Sequence, residues 1–463
     1  MSVARQLAKA VRSNAYRDIP KEAVQQTQRI LLDTLGCALG GYGSEASRII
    51  QEYVRESCHP KEATVFGSGL KTSCLNAVLA NGAMVRYLDY NDTAFILQGE
   101  LYRTGYHPSE IMPAVLALGE RHHLTGKEII SAIVLAYDLS IAFLEGVTGP
   151  GMETRGWNGD TRGAYIMPLV IGRMLGMTEA QMESAVGIAG SCHAVFGILD
   201  TPAEEYTMTK NIRFPMMSYA AIMAAQLAQK GFTGPAGMVE GHDGFIQSVM
   251  GGEYDVSRLL AFKGKYAIRE ACIKSLIADF SSHGHLTATL TLARQYDLKP
   301  ADIESIRITT SKRCAEHTGD PVKKYPRNKE TADHSSYYLT AIALVDRQIG
   351  PDQFSKEKYA SPVVRTLIDK VELVGDPSLD KARPAGISEI TTKQGKVYRQ
   401  RVDYPRGHAR NPMTDEEVIA KFESMAGKYM NARQMKKVVD TVFNLENLAD
   451  AAALNKLMVC RSR

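Results

Sequence analysis

Between residues 21 and 263 apolar side chains recur at steps of three and four, the period of helices that bury one face. Val24, Leu31 and Leu35 form one such stripe, and Ile130, Ile133, Val134 and Tyr137 form another. Two capping boxes punctuate the region, Thr125 with Glu128 and Thr178 with Gln181. In each, a hydroxyl and a longer polar side chain satisfy the free amides of a first helical turn. Past residue 267 the texture changes. Ile306, Ile308 and Thr310 share one side of an alternating run over 304–310, and 387–393 and 397–404 flank Gln394-Gly395 as hairpin arms. Helical periodicity returns at Thr414, whose box with Glu417 opens a run through Val418, Phe422 and Met425. The pattern predicts a mostly α protein: a large helical domain built from residues 1–266 and 414–463, with a smaller α+β domain or lid, 267–413, inserted into it. A cleft between two such bodies is a common place for a ligand.

A chain of 463 residues is too long for one ordinary core, in keeping with that division. The formal charge is only +4, and no run of Lys and Arg is interleaved with aromatics, so nucleic acid is not expected as a partner. No apolar stretch reaches the roughly 20 residues that cross a bilayer, so a membrane is not expected either. Seven scattered cysteines, none in a C-x-x-C pair, fit a reducing compartment such as the cytoplasm and offer no disulfide framework or thiolate zinc site. Residues 1–17 are basic and free of acidic residues, as in a mitochondrial presequence that would direct the chain to the matrix. Ala4, Leu7, Ala8 and Val11 equally suit a first helix docked on the body.

Four polar clusters carry candidate chemistry. Tyr87-Leu88-Asp89-Tyr90-Asn91-Asp92-Thr93, followed by Tyr106-His107-Pro108-Ser109-Glu110, holds polar groups that cost about 1 to 3 kcal/mol each when buried unpaired. They form either a polar knot closing a helix or the wall of a site. In Tyr206-Thr207-Met208-Thr209-Lys210-Asn211-Ile212-Arg213, Lys210 and Arg213 project to one side of a helical turn, as a carboxylate clamp or as a solvated basic turn.

In the third cluster, Lys274-Ser275-Leu276-Ile277-Ala278-Asp279-Phe280-Ser281-Ser282-His283-Gly284-His285, the two histidines share a face only on a strand. The Ser- and Gly-rich wording is poor for a strand and no third or fourth ligand stands at credible spacing, so no metal is expected. Asp333-His334-Ser335-Ser336-Tyr337-Tyr338 opens an apolar helix through Leu339, Ala341 and Leu344. Asp333 or Ser335 suffices as its cap, which leaves His334 and the tyrosines without a task. The glycines at 36–43 follow a helix without a preceding strand, and no serine sits in a G-x-S-x-G elbow.

In this order and spacing the clusters resemble the MmgE/PrpD family, which includes 2-methylcitrate dehydratase, cis-aconitate decarboxylase and iminodisuccinate epimerase. The resemblance covers nearly the whole chain. It rests on Leu32-Asp33-Thr34-Leu35-Gly36-Cys37, Leu88-Asp89-Tyr90-Asn91-Asp92-Thr93, His107-Pro108-Ser109, Met208-Thr209-Lys210, Asp333-His334-Ser335, and Pro405-Arg406-Gly407 leading to Asn411-Pro412-Met413-Thr414. Leu88-Asp89-Tyr90-Asn91-Asp92-Thr93, the His107-Pro108-Ser109 turn and Ala278-Asp279-Phe280 are most similar to the methylcitrate dehydratase branch. The resemblance implies a helical domain with an α+β lid, an active site in the cleft, a homodimer, and no metal or organic cofactor. By position it implies that Asp89, Thr93, His107, Lys210, Tyr338 and, at a looser match, Lys274 line the site. Decarboxylase-like members carry a histidine where this chain has Asn158 in Gly156-Trp157-Asn158, which weighs against decarboxylation.

The expected activity is a cofactor-independent hydro-lyase that dehydrates a citrate-like tricarboxylic acid. Such a reaction needs a base for the proton beside a carboxylate, cations for the developing ene-diolate and an acid for the departing hydroxyl. His107 is assigned as principal acid or base, with Asp89 orienting it or sharing its proton. Lys210, Lys274 and Arg213 are assigned to substrate carboxylates, Thr93, Asn158 and His283 to further substrate contacts, and Tyr338 to closing the site from the lid. Decarboxylation and epimerisation pass through the same carbanion-like species and are the alternative reactions. A non-catalytic binding protein on the same fold is the alternative of a different class.

Overall fold

The computed structural model describes residues 1–56, 60–98, 101–104 and 106–460. Helices dominate it, with one four-stranded mixed sheet in the second half. Helix Lys21–Tyr42 is buried along most of its length because neighbours cover more than one face. Helix Cys74–Tyr87 crosses so closely that a β-carbon on Gly41 would meet the carbonyl oxygen of Met84 at 2.3 Å. Helix Asp415–Ala426 also packs on it, bringing Val418, Phe422 and Ala426 from the far end of the sequence into the same hydrophobic core. Helix Val3–Arg12 docks on that body through Val3, Ala4, Leu7, Ala8 and Val11, the apolar face of the basic N-terminus. All three capping boxes form, at Thr125, Thr178 and Thr414. Among the described residues no helix is long and apolar enough to cross a membrane. Cys37, Cys74, Cys192, Cys272, Cys314 and Cys460 are free, and Cys58 lies outside the described residues.

In the sheet, strand Ile303–Ser311 lies between Val371–Asp376, to which it is parallel, and Gly386–Thr392, to which it is antiparallel. Strand Val397–Val402 pairs with Gly386–Thr392 as the hairpin. Its turn contains Gly395 at φ +78°, a conformation glycine takes without steric cost. Ile306, Ile308 and Thr310 are buried on one side of their strand while Arg307 is exposed, as the alternation requires.

The third polar cluster does not form the strand on which its two histidines would share a face. It ends in a 3-10 turn, Phe280–Ser282, and His283 begins a helix that runs to Gln295. The lack of a side chain on Gly284 permits this, since a β-carbon there would meet the carbonyl oxygen of Pro384 at 2.1 Å.

A second hydrophobic core holds this helix, helix Ser336–Asp346 and one face of the sheet, and it includes Cys37, Leu88 and Met425 from the helical body. The polar clusters lie where the two cores meet. Leu88 precedes Asp89, and Ile273 and Ile277, one in each core, bracket Lys274.

Candidate active site

Asp89 is the hub of the seam. Helix Cys74–Tyr87 stops two residues before it, and Asp89 turns the chain with φ +50°, a left-handed conformation that Asp enters more readily than most residues. Its carboxylate is buried among cations: Oδ1 accepts from Arg86 Nη1 at 2.6 Å and Lys274 Nζ at 2.7 Å, and Oδ2 from Lys210 Nζ at 3.4 Å. Lys274 also donates to the Asp89 carbonyl at 3.1 Å. On the opposite wall Asp333 accepts from Lys210 at 2.9 and 3.1 Å and from Lys329 at 2.8 Å. Arg86 Nε faces Glu110 at 2.8 Å. Four cations thus meet three carboxylates in a space where Lys210 and Lys274 have almost no exposure. Charges this deep persist only when paired, and among these direct contacts the cations outnumber the carboxylates.

The titration properties follow from this crowding. Burial pushes the Asp89 carboxyl up, but Arg86, Lys210 and Lys274 outweigh it and hold Asp89 well below the ordinary range. Asp333 behaves alike, with Lys210 and Lys329 outweighing burial. Burial pulls Lys210 down to about 8, and the pull of Asp333 and Asp89 only partly restores it. Lys210 is therefore charged at neutral pH yet gives up its proton far more easily than a solvated lysine.

His107 precedes the 3-10 turn Pro108–Ile111, and 21% of its side chain is exposed, the most open position beside the hub. Its Nδ1 lies 2.5 Å from the carbonyl oxygen of Asp92. A carbonyl only accepts, so Nδ1 carries the proton and Nε2 keeps its lone pair. The Asp92 side chain is itself fixed by Ser109 N at 3.1 Å and Tyr137 Oη at 2.6 Å. Burial holds the His107 pKa well below the usual imidazole range, with Arg86 and Lys274 pressing the same way. The outcome is a neutral ring whose free nitrogen faces Asp89 Oδ1 at 3.8 Å. That separation exceeds a hydrogen bond, so the backbone of Asp92, and not Asp89, orients His107.

The structure brings Asp89, His107, Lys210 and Lys274 together and gives the other anticipated residues different hydrogen-bond or packing partners. Arg213 does not share the face of Lys210; it binds Asp200 at 2.8 Å and Asp160 at 3.2 Å. Asn158 joins that neighbouring network, donating to Asp200 and accepting the amide of Asp160 at 2.9 Å. The Thr93 hydroxyl donates to the Tyr106 carbonyl at 3.2 Å while its backbone pairs with Cys272. His283 is fully buried against Phe280, ring centroids 4.9 Å apart. Tyr338 lies within the second hydrophobic core, its hydroxyl on the Gln353 carbonyl and its ring 5.3 Å from that of Tyr359. It follows the apolar stripe of its helix, and so it does not reach the seam.

Arg86, Lys329, His334 and Lys421 belong to the site and were not assigned from sequence. Two had a visible signal, since Arg86 stands three residues before Asp89 and Lys329 four before Asp333. Lys421 interrupts the apolar face of its helix; it pairs with Asp33 at 2.5 Å and donates to the carbonyls of Tyr90 and Lys274, tying two walls together. His334 Nδ1 lies 2.5 Å from Asp333, and Nε2 lies 3.4 Å from Asp89. Among the described residues His334 also takes part in both groupings of His and carboxylate atoms spaced as metal ligands, with Asp89 and Asp333 and with Asp279 and His317. The Lys210 ammonium stands 3.3 Å from His334 Nδ1 and also bonds Asp89 and Asp333, so a cation already occupies the first of these groupings.

The mostly helical chain thus gathers Arg86, Lys210, Lys274 and Lys329 around Asp89 and Asp333, beside the neutral ring of His107. Its sequence matches the MmgE/PrpD N-terminal domain over residues 5–257 and the MmgE/PrpD C-terminal domain over residues 278–445. The chain belongs to the MmgE/PrpD family. It is 26% identical to a cis-aconitate decarboxylase of Aspergillus terreus, covering 96% of this chain and 94% of that one. It is 24% identical to the human cis-aconitate decarboxylase, covering 99% and 94%. It is 25% identical to the 2-methylcitrate dehydratase of Salmonella typhimurium, covering 92% and 90%. Identity does not separate the two names.

Proposed function

We propose that the chain is a lyase that dehydrates a small tricarboxylic acid of the citrate and methylcitrate type. The observation that carries the reading is the free Nε2 of a neutral His107 at the edge of a buried surplus of cations. Substrate carboxylates enter the Asp89 cluster and take over part of the pairing of Lys274, Lys210 and Arg86. His107 Nε2 accepts the proton from the carbon beside a carboxylate, and the same cations stabilise the ene-diolate that forms. Lys210 donates its proton to the departing hydroxyl, which leaves as water. The base has gained one proton and the acid has lost one, so the step balances. The proposal assigns no metal or organic cofactor, takes residues 267–413 as the smaller domain or lid that supplies Lys274, Asp333 and His334, and places two copies in a homodimer, which sedimentation would read.

Decarboxylation of cis-aconitate is the second reading, favoured by likeness to proteins of that name. Asn158, already held by Asp160 and Asp200, offers no proton donor in its place. The test supplies citrate, 2-methylcitrate and cis-aconitate separately and follows the absorbance of the unsaturated acid together with released carbon dioxide. Absorbance growing from citrate or 2-methylcitrate without gas supports dehydration. Gas from cis-aconitate moves the assignment to the second reading, and binding without turnover of any acid moves it to a binding protein.

A further inference from the structure

Once Lys210 has given its proton to the leaving group it is a neutral amine enclosed by protein, and it needs a proton before the next turnover. With the site closed as in this structure, solvent does not reach it directly, because Lys210 is 1% exposed and its neighbours Asp333 and Lys274 are fully buried. One neighbour leads outward. His334 Nδ1, 2.5 Å from Asp333 Oδ1, carries a hydrogen because a carboxylate can only accept, and that nitrogen is 3.3 Å from Lys210 Nζ. A nitrogen of His334 lies within 4.8 Å of ligand-type atoms of both Asp279 and His317, and its Nε2 lies 3.4 Å from Asp89 Oδ2. Those two residues are half-buried, whereas His334 is buried.

We infer that Asp279, His317 and His334 form a proton path from solvent to Lys210. This rests on the reading of Lys210 as the acid of the dehydration. His334 passes its Nδ1 proton to the neutral amine and is reprotonated from the Asp279 and His317 side, so one proton enters from water for each one spent on the hydroxyl. Imidazole suits this because its two nitrogens exchange donor and acceptor roles without the ring moving away.

The surroundings hold the path in place. Tyr206 Oη bridges Asp200 Oδ1 at 2.6 Å and His317 Nε2 at 3.3 Å, and its ring packs 4.5 Å from that of His334. The His317 and His334 rings meet edge to face at 5.8 Å, and Lys323 donates to the His317 carbonyl at 2.6 Å. Burial, and then Lys323, keeps the His317 pKa down at about 3, so His317 rests neutral.

The test uses the full-length protein with 15N-labelled histidine and the variants His317→Ala and Tyr206→Phe, the second retaining the aromatic packing. The path predicts that exchange of the His334 ring proton with water slows by about tenfold or more in His317→Ala, in line with the contribution of a positioned proton carrier, and recovers when imidazole is added. In turnover, kcat falls with KM nearly unchanged and imidazole restores it; a purely structural loss would not respond to imidazole. Tyr206→Phe, which frees His317 to turn, gives a smaller loss of the same kind. Unchanged exchange in His317→Ala overturns the path. If the wild-type protein turns over none of the acids, the lyase reading fails while the exchange measurement still decides the path.

Discussion

The Nδ1 of His107 donates to the backbone carbonyl of Asp92 at 2.5 Å, and this one bond fixes which nitrogen of the ring is free to react. Because the acceptor is backbone, the orientation survives changes in neighbouring side chains. Replacement of His107 itself by Gln should lower kcat by about 10² to 10⁴-fold, the usual worth of a positioned acid or base, with a smaller effect on KM. Steady-state kinetics on the acid that the wild type turns over reads this directly. Near-normal turnover in the variant removes His107 from the mechanism.

The pH dependence should be set by two displaced groups of opposite role. His107 acts as a base and works only when neutral; its pKa is depressed by burial, so activity persists below pH 6.5 and falls as acid finally protonates it. Lys210 acts as an acid and works only when charged, so activity falls as pH rises through about 8. The profile of kcat/KM is expected to be a bell with its alkaline limb near pH 8. An alkaline limb near the ordinary lysine value would contradict the role given to Lys210.

Asp89 separates stability from catalysis. The Asp89→Asn substitution leaves Arg86, Lys210 and Lys274 facing a neutral amide, and breaking a buried pair in this way costs about 3 to 5 kcal/mol. Chemical denaturation should show that loss. Saturating citrate or 2-methylcitrate should return part of it, since the acid supplies the missing negative charge. Failure of every such acid to stabilise the variant would argue against the cluster as a carboxylate site.

Much of the architecture was legible because local chemistry decides it. The three capping boxes, the Gln394-Gly395 hairpin and the stripe of Ile306, Ile308 and Thr310 each need only neighbours in sequence or one buried face. The site was legible as a set of motifs and less so in its roles. A lysine in a short turn reads the same whether solvated or buried, and Lys210 is buried only because Asp89 and Asp333, more than a hundred residues away on either side, surround it. Tyr338 shows the converse. Its motif stands beside the site, but helical phase carries its ring into the second core. Asp89 and His107 approach to 3.8 Å, yet a backbone carbonyl, which no sequence pattern marks, does the orienting.

Tyr338→Phe follows from that placement. The hydroxyl contacts the Gln353 carbonyl and no group of the Asp89 cluster, so the variant should keep kcat within a factor of about two and lose about 1 kcal/mol of stability, the net worth of one hydrogen bond. A large fall in kcat with unchanged stability would return Tyr338 to the reacting groups.

Acid should unfold the protein through histidines outside the reaction. His283 and His285 are fully buried, and burial pulls each down to about 3. Below pH 6.5 the unfolded chain binds protons that the fold refuses. Stability present above that pH is therefore lost toward pH 3, at about 1.4 kcal/mol per pH unit for each histidine. Denaturation midpoints across this range measure the slope, and His283→Phe should flatten it.

The most direct measurement incubates 2-methylcitrate, and separately citrate, with wild-type protein in deuterated water and analyses recovered acid and product by mass spectrometry and NMR. The account predicts an unsaturated acid as product and deuterium at the carbon beside a carboxylate in the recovered substrate, both lost in His107→Gln. Exchange and product formation that persist in His107→Gln at the wild-type rate would contradict it.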